Sequence, residues 1–173
     1  MSALNFVTSV EITSSTSTTN VDNIFSSTYD TYKIILRAMS TVGTTDTQLN
    51  ARLIDNSGSV ISDSEYDYSV FQLNSSYGFT DNKNTNWNLI NRISFLDQSP
   101  DSQGTVLYVY SPYVSSKYTF MNWQTTHHRG GDAEGLKGIA IHKSTEIIRG
   151  IQFHDAYTDR PYNTGQILVY GVK

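Results

Sequence analysis

The sequence predicts an all-β protein built as a single antiparallel β-sandwich, and three observations support this prediction. Residues that favour surface helices are scarce, because the 173 residues include only four Glu and six Lys. Aromatic residues are frequent, with 12 Tyr, seven Phe and two Trp, and they favour pleated, half-buried strands. Short segments alternate between apolar and polar residues, whereas no long segment has the apolar spacing of an amphipathic helix.

The alternation defines the expected strands in chain order. In the strongest segment, Tyr32, Ile34 and Leu36 share one face while Lys33 and Arg37 lie on the other. The full set of expected strands is Phe6–Ile12, Tyr29–Met39, Gln48–Ile54, Val60–Gln72, Trp87–Leu96 as one strand or a pair, Thr105–Tyr110, Lys117–Trp123, Gly138–His142, Ile147–Phe153 and Gln166–Val172. Eight to ten strands at this regular spacing are typical of all-β sandwiches.

Two stretches between these segments are too polar to predict as strands. Asn74–Asn86 is expected to form a long exposed loop, and Thr125–Leu136 a polar surface loop. We expect one domain over residues 1–173, with residues 1–22 as an N-terminal arm or an edge strand. Met1–Val10 lacks the features of a signal peptide. Nowhere do 18 apolar residues follow one another, so we expect no membrane insertion.

Composition excludes several classes of function. The absence of cysteine excludes disulfides and thiolate metal sites. The net charge is −4, and the lysines and arginines are scattered singly, so no basic stripe is available to neutralise a row of phosphates. We therefore expect no nucleic acid as a partner.

The candidate chemical groups do not form a recognisable motif. Four histidines are present, at positions 127, 128, 142 and 154, but their spacing matches no metal-binding pattern. The acidic stretch Asp63–Asp67 offers oxygen ligands for Ca²⁺ without the rest of the loop consensus. We therefore expect no metal, no cofactor and no catalytic residues. The enzymatic alternative, a hydrolase, requires Asp132 and His127 or His154 to converge in one cleft.

Aromatic and histidine side chains are the remaining candidates for binding. Aromatic residues among Asn, Asp and Gln resemble the composition of sugar-binding or protein-binding surfaces. Those in strand phase are expected to fill the core or rim of the sandwich: Tyr108, Tyr110, Tyr118, Phe120 and Tyr170. The candidate surface contacts are Tyr77, Tyr113, His127, His128, Tyr157 and Tyr162.

Two parts of the chain resemble a family of bacteriophage virion proteins. Asn23–Leu36 has the pattern Asn-(Ile/Val)-Phe-(Ser/Thr)-Ser-x-Tyr-(Asp/Asn)-x-Tyr of an early strand region in that family. Ile148–Phe153 and Thr164–Lys173 are similar to its ending, Ile-x-Gly-Ile-x-Phe followed by Gly-x-(Ile/Phe)-x-Leu-Tyr-Gly-(Ile/Val)-Lys. The stretch His154–Asn163 departs from the family, whose last loop has a phenylalanine and glycines, which is consistent with a different contact here.

The resemblance implies a structural role in the virion of a tailed phage of the marine or cyanobacterial type. We accordingly expect a non-enzymatic β-sandwich of the jelly-roll type that works by protein–protein assembly, in the tail apparatus as a fibre, baseplate or adaptor-associated component. Its expected partners are other virion proteins and copies of itself, as a trimer or a higher ring. The alternatives are a capsid decoration protein and a module that binds host surface glycan. The expected location is the virion, assembled in the host cytoplasm.

Overall fold

Two antiparallel sheets face each other in the computed structural model, which describes residues 3–41, 47–96, 103–129, 131–157 and 160–173. This part of the chain contains twelve strands: β1 Leu4–Ile12, β2 Thr18–Val21, β3 Thr31–Thr41, β4 Thr47–Asp55, β5 Tyr66–Asn74, β6 Gly78–Trp87, β7 Ile90–Leu96, β8 Gln103–Tyr110, β9 Thr119–Arg129, β10 Asp132–His142, β11 Ile148–Asp155 and β12 Tyr162–Val172. The all-β sandwich predicted from the sequence is confirmed, with more strands than the eight to ten expected.

The strand order identifies a jelly roll. The large sheet has the order β1-β12-β3-β8-β9-β10-β5-β6, and the small sheet has the order β2-β11-β4-β7. If the hairpins β5–β6 and β9–β10 are set aside, eight strands remain in the orders one-eight-three-six and two-seven-four-five, which is the order of an eight-stranded jelly roll. The predicted fold type is therefore confirmed.

The two extra hairpins extend the large sheet beyond β8. β9 pairs with β8, β10 pairs with β9 and β5, and β6 forms the edge. β7 of the small sheet packs across β8, β9, β10 and β5. We call the face of the large sheet that packs on the small sheet the inner face, and the opposite one, which no described residue covers, the outer face.

The core lies between the sheets and follows the predicted alternation. Tyr32, Ile34 and Leu36 of β3 are wholly buried. On the neighbouring inserted strands, Trp123 lies flat over Gly138, and a Cβ placed at that glycine would lie 2.1 Å from the indole ring. The indole Nε1–H donates to the carbonyl of Arg92 at 3.0 Å. A glycine is needed at position 138 because the tryptophan occupies the space of a side chain.

Both polar stretches predicted as loops are mostly strand, so these two predictions are wrong. Asn74–Asn86 contains most of β6, and Thr125–Leu136 contains the facing parts of β9 and β10. β6 is exposed on both sides at the sheet edge, so it needs no apolar alternation. The inner faces of β9 and β10 bury polar groups that bond to each other, which hides the strand pattern from hydropathy. Gly130, within the second stretch, lies outside the described residues.

The N-terminal residues contribute one strand to each sheet. β1 forms the edge of the large sheet by pairing with β12, and β2 forms the edge of the small sheet by pairing with β11. No helix in the described ranges is long and apolar enough to cross a membrane.

Candidate functional site: the outer face of the large sheet

An apolar patch lies on the outer face of the inserted strands. We call it the outer patch, and its residues are Phe71, Leu73, Phe79, Phe120 and Ile139. Strand register places them along a diagonal of the face. Leu73 pairs with Phe79, while Phe71, opposite the exposed Lys137, and Phe120, opposite Ile141, each lie diagonal to Ile139. The exposed fraction is 68% for Phe79, 62% for Ile139 and 50% for Phe120. Apolar side chains this exposed and this close together mark an interaction surface.

Aromatic stacking fixes part of the outer patch. The rings of Phe71 and Phe79 stack with centroids 5.2 Å apart and planes 21° apart. On β8, which pairs with β9, the rings of Tyr108 and Tyr110 also stack, with centroids 6.4 Å apart. Rigid rings that are already ordered lose little conformational entropy when a partner covers them.

A groove of about 820 Å³ borders the outer patch. Tyr110, Phe120 and Ile139 contribute to its lining, which is mainly apolar. Asn122 and Lys83 also line the groove, and Asn122 Nδ2 donates to the hydroxyl of Tyr110 at 2.8 Å. An apolar floor with a few polar groups can hold either a protein side chain or a sugar ring.

A buried polar network lies under the outer patch, on the inner face. The carboxylate of Glu134 is 2.8 Å from His127 Nε2. It also accepts from the Asn74 amide at 2.5 Å, the Tyr77 hydroxyl at 3.0 Å and the Gln72 amide at 3.2 Å. Four donors occupy the two carboxylate oxygens, so this network holds the strands in place and leaves Glu134 no free oxygen lone pair directed at a substrate.

A second histidine–carboxylate group lies at the other end of β10. His142, wholly buried, has Nε2 at 3.0 Å from Glu65 Oε2 and at 3.6 Å from Glu146 Oε1. Within the described ranges, this is the one group of three His or acidic side chains whose ligand atoms lie close enough to hold a metal ion.

Two of the six predicted surface contacts are buried, so these two predictions are wrong. Tyr162 is wholly buried, and its hydroxyl donates to the Phe153 carbonyl at 3.1 Å and accepts from the Thr19 hydroxyl at 2.9 Å. Burial raises the pKa of Tyr162 to about 12. His127 is buried, and its Nε2 is hydrogen-bonded to the carboxylate of Glu134, which lies seven residues away in sequence. Both residues lie at buried positions of strands, β12 and β9. The polar composition of the surrounding segments hid the strand alternation there.

The other four predicted contacts are accessible but do not form one site. Tyr77 lies in the turn between β5 and β6, and Tyr157 lies after β11 with the Arg160 guanidinium 4.4 Å from its ring centroid. His128 is exposed on β9, and Tyr113 lies in the connection between β8 and β9, at the opposite end of the sandwich from Tyr77. Their role as contacts stays a prediction.

The outer patch itself was missed by the sequence analysis. The aromatic residues expected in the core or rim are absent from the described core, and Tyr118 and Phe120 are largely exposed. In Lys117–Trp123 both faces carry large side chains, so alternation alone did not show which face is buried. Gly138 distinguishes the two faces. It leaves room for Trp123 on the inner face, and Phe120, three residues earlier, therefore points to the outer face.

The described residues do not bring Asp132 together with His127 or His154, as the hydrolase alternative requires. His127 is committed to Glu134, while Asp132 accepts from the hydroxyls of Ser75 and Ser76. His154 belongs to β11 in the small sheet, where its Nδ1 donates to the carbonyl of Asp155 at 3.0 Å. Burial lowers the pKa of His154.

Comparison with known proteins yields little. No protein-family model matches the chain, and no curated protein matches it. Among solved structures, it is similar to the VP2 subviral particle of infectious bursal disease virus, with 11% identity and a TM-score of 0.16 over all of this chain and 38% of that one. It is also similar to a structure of the Gt strain of that virus, with 10% identity and a TM-score of 0.14 over 99% of this chain and 37% of that one. The chain thus spans under two fifths of the proteins it matches, and at these TM-scores the likeness supports no conclusion about family or function.

Proposed function

We propose that this protein is a non-enzymatic structural component of a phage virion that assembles through the outer patch. The observation that carries the proposal is the uncovered outer patch, which runs across the inserted strands from Phe120 through Ile139 to Phe79. In water, exposing these side chains is unfavourable, and a partner that covers them gains the free energy of their burial.

The surroundings of the outer patch suit a protein partner. Asp81 and Lys83 lie beside it on β6, 3.6 Å apart and largely exposed. An apolar centre with a polar and charged border is the usual anatomy of a protein–protein interface. Exposed rim charges add little affinity but set the orientation of the partner.

The fold and the resemblance support the same function. Jelly rolls occur in viral capsid proteins and in lectins, so the topology is compatible with a virion role without establishing one. Asn23–Leu36 and Thr164–Lys173 resemble tailed-phage virion proteins, which favours the tail apparatus as the location. A decoration protein of the capsid is the alternative location. Antibodies raised against this chain and imaged on intact virions distinguish the two, since they label either tails or heads.

Light scattering tests whether the outer patch mediates assembly. If copies of this chain are the partner, the purified protein has a molar mass of three times 19.4 kDa or more. Ile139→Asp then reduces it to a monomer, because a carboxylate would be buried in an apolar interface. The matched control is Leu4→Asp, which alters another exposed apolar residue, on β1 at the far edge of the same sheet. A monomeric wild-type protein, or an oligomer that survives Ile139→Asp, rules out self-assembly through this surface.

The groove favours glycan binding as a second candidate function. Tyr110 and Phe120 offer ring faces on which a sugar can stack, and Asn122 offers an amide for its hydroxyl groups. Calorimetric titration with host surface polysaccharide tests this function. Binding that is lost in Tyr110→Ala and kept in Tyr118→Ala, which alters an exposed aromatic outside the groove lining, supports it. No heat of binding with the wild-type protein contradicts it.

A further inference from the structure

The group formed by Glu65, His142 and Glu146 lies where the inserted hairpins join the jelly roll. Glu65 directly precedes β5, the strand by which the chain leaves the jelly roll after β4. His142 is the last residue of β10, and Glu146 lies two residues before β11, where the chain returns to the small sheet. A ligand bound by all three residues would therefore tie together both junctions.

The geometry of these side chains matches the spacing of metal ligands. The three ligand atoms lie within 4.8 Å of one another, and Nε2 of His142 is 3.0 Å from one carboxylate and 3.6 Å from the other. Two ligands with bonds of about 2.1 Å to one ion are roughly 3 to 3.5 Å apart at tetrahedral or octahedral angles. The two distances from His142 Nε2 are close to this range, and the two glutamate oxygens, which lie within 4.8 Å of each other, approach it only if the partly exposed side chains rotate.

Hydrogen bonding within the protein leaves the two carboxylates short of donors. His142 Nε2 carries one hydrogen, which serves Glu65, and 3.6 Å is too long for a hydrogen bond to Glu146. Across the described ranges, no lysine or arginine lies within ion-pair distance of either carboxylate, and Lys143 pairs with Asp67 instead. Glu134, by comparison, receives four donors. No lysine or arginine of the described ranges therefore balances the charge of the two carboxylates.

We propose that Glu65, His142 and Glu146 bind one divalent transition-metal ion, Zn²⁺ or Mn²⁺, and that solvent completes its coordination. The ion takes the place of the hydrogen on His142 Nε2, which moves to Nδ1, so that the imidazole stays neutral and Nε2 offers its lone pair. Imidazole nitrogen favours transition metals over Ca²⁺ or Mg²⁺, and carboxylates suit both Zn²⁺ and Mn²⁺. The carboxylate side chains are 38% and 33% exposed, so an ion can reach them from solvent, while the imidazole is held rigidly by burial. This site departs from the expectation of no metal, because its ligands come from segments whose spacing forms no motif.

The role of the ion in this site is structural. It holds the segment before β5 against the end of β10 and the segment before β11, and so fixes the inserted hairpins, which carry the outer patch, on the jelly roll. The site is independent of the proposed function, since a metal can bind here whatever covers the outer face.

Metal titration of the tag-free protein, after treatment with a chelator, tests the proposal. We expect calorimetry with ZnCl₂ or MnCl₂ to give one ion per chain, and the metal at a hundredfold excess over Kd to raise the melting temperature by roughly 5 to 10 °C. Glu146→Gln is the informative variant, because it leaves the His142–Glu65 hydrogen bond intact. It should weaken binding by about tenfold to a hundredfold and largely remove the thermal shift.

Two controls make the test decisive. Glu11→Gln removes the same charge from an exposed glutamate on β1 and should bind the metal as the wild type does. Glu65→Gln changes the second carboxylate and should weaken binding as Glu146→Gln does. Circular dichroism and melting without metal check that each variant is folded. The proposal is overturned if neither metal binds the wild-type protein, or if Glu146→Gln and Glu11→Gln bind it equally well.

Discussion

β10 carries a histidine–glutamate group at each end, and the two groups differ in how many hydrogen-bond donors surround the carboxylates. At its start, Glu134 is buried and accepts from four side chains, including His127. At its end, His142 faces Glu65 and Glu146, both partly exposed, and its one Nε2–H donates to Glu65 alone. The same residue types thus form a closed structural network in one place and an open cation-binding group in the other, and the donor count separates them.

The largest effect is expected from breaking the closed network. Glu134→Leu removes the acceptor of three buried side chains, Gln72, Asn74 and His127, and of the hydroxyl of the partly exposed Tyr77. The free energy of unfolding should fall by about 3 to 5 kcal/mol, as when one partner of a buried ion pair is removed. Urea denaturation followed by circular dichroism measures it. A loss below about 1 kcal/mol would contradict the view that this network is closed.

A smaller loss of stability is expected from a substitution midway along β10, where Gly138 packs against Trp123 and makes no polar contact with it. Gly138→Ala forces a methyl group into the ring of Trp123 and should lower the free energy of unfolding by about 1 to 3 kcal/mol. Gly135→Ala on the same strand is the control, because its Cβ would meet nothing closer than 3.4 Å and should change stability much less. Thermal unfolding of both variants gives the difference. Equal losses would show that the tryptophan moves aside freely.

His154 extends the comparison to a buried histidine with no carboxylate on its ring. Its Nδ1–H donates to a backbone carbonyl, and its buried Nε2 has no partner among the described residues, so a proton there is unfavourable. Burial lowers its pKa below the ordinary 6.5, and thus the unfolded chain binds the proton more readily than the folded protein does. Stability is then full above pH 6.5 and falls as the pH decreases through 6.5 towards the lowered pKa.

The slope of this loss is at most about 1.4 kcal/mol per pH unit for one proton. Urea denaturation from pH 7.5 to 5 measures it, and His154→Gln should flatten the profile by removing the titrating group. A profile that is unchanged in His154→Gln would assign the pH dependence to other groups. Arg52, whose charge also lowers the pKa of His154, offers a second check, since Arg52→Gln should reduce the shift.

The smallest effect is expected at the open end of β10. In metal-free protein, Glu146→Ala removes a partly exposed carboxylate 3.6 Å from His142, so stability should change by less than about 1 kcal/mol. Comparison with Glu134→Leu in the same urea experiment completes the contrast. A loss as large as that of Glu134→Leu would mean that both ends of β10 are closed.

The sequence was sufficient for the fold class and for seven of the eight strands of the jelly roll. The exception is β2, Thr18–Val21, which was expected only within an N-terminal arm or edge strand. Tyr32, Ile34 and Leu36 of β3 face the core, whereas Lys33, Ile35 and Arg37 lie on the half-buried to exposed side. The inserted strands escaped prediction where their buried face is polar, as at Glu134, or where neither face is covered, as in β6. Hydropathy records burial of apolar groups, so it does not detect strands stabilised by side-chain hydrogen bonds.

The candidate site was not predictable in the same way. Phe120 and Trp123 are three residues apart on one strand and point to opposite faces, and only the packing of Trp123 on Gly138 shows which is buried. Glu65 and His142 are 77 residues apart and meet because β5 pairs with β10. Their proximity depends on strand order, which local patterns do not encode.

The pairing of β1 with β12 also governs when the protein can finish folding. Its partners are 153 residues apart from Ile12 to Gly165 and 168 residues apart from Leu4 to Val172. At about 5 to 20 residues per second, a ribosome needs on the order of ten to thirty seconds to supply the second strand. During that interval β3 also lacks its neighbour β12, and the edge of the large sheet is open. β12 is therefore the last strand to join the large sheet, where it inserts between β1 and β3. The nascent chain is most prone to aggregation just before that step, while the strand edges are unpaired.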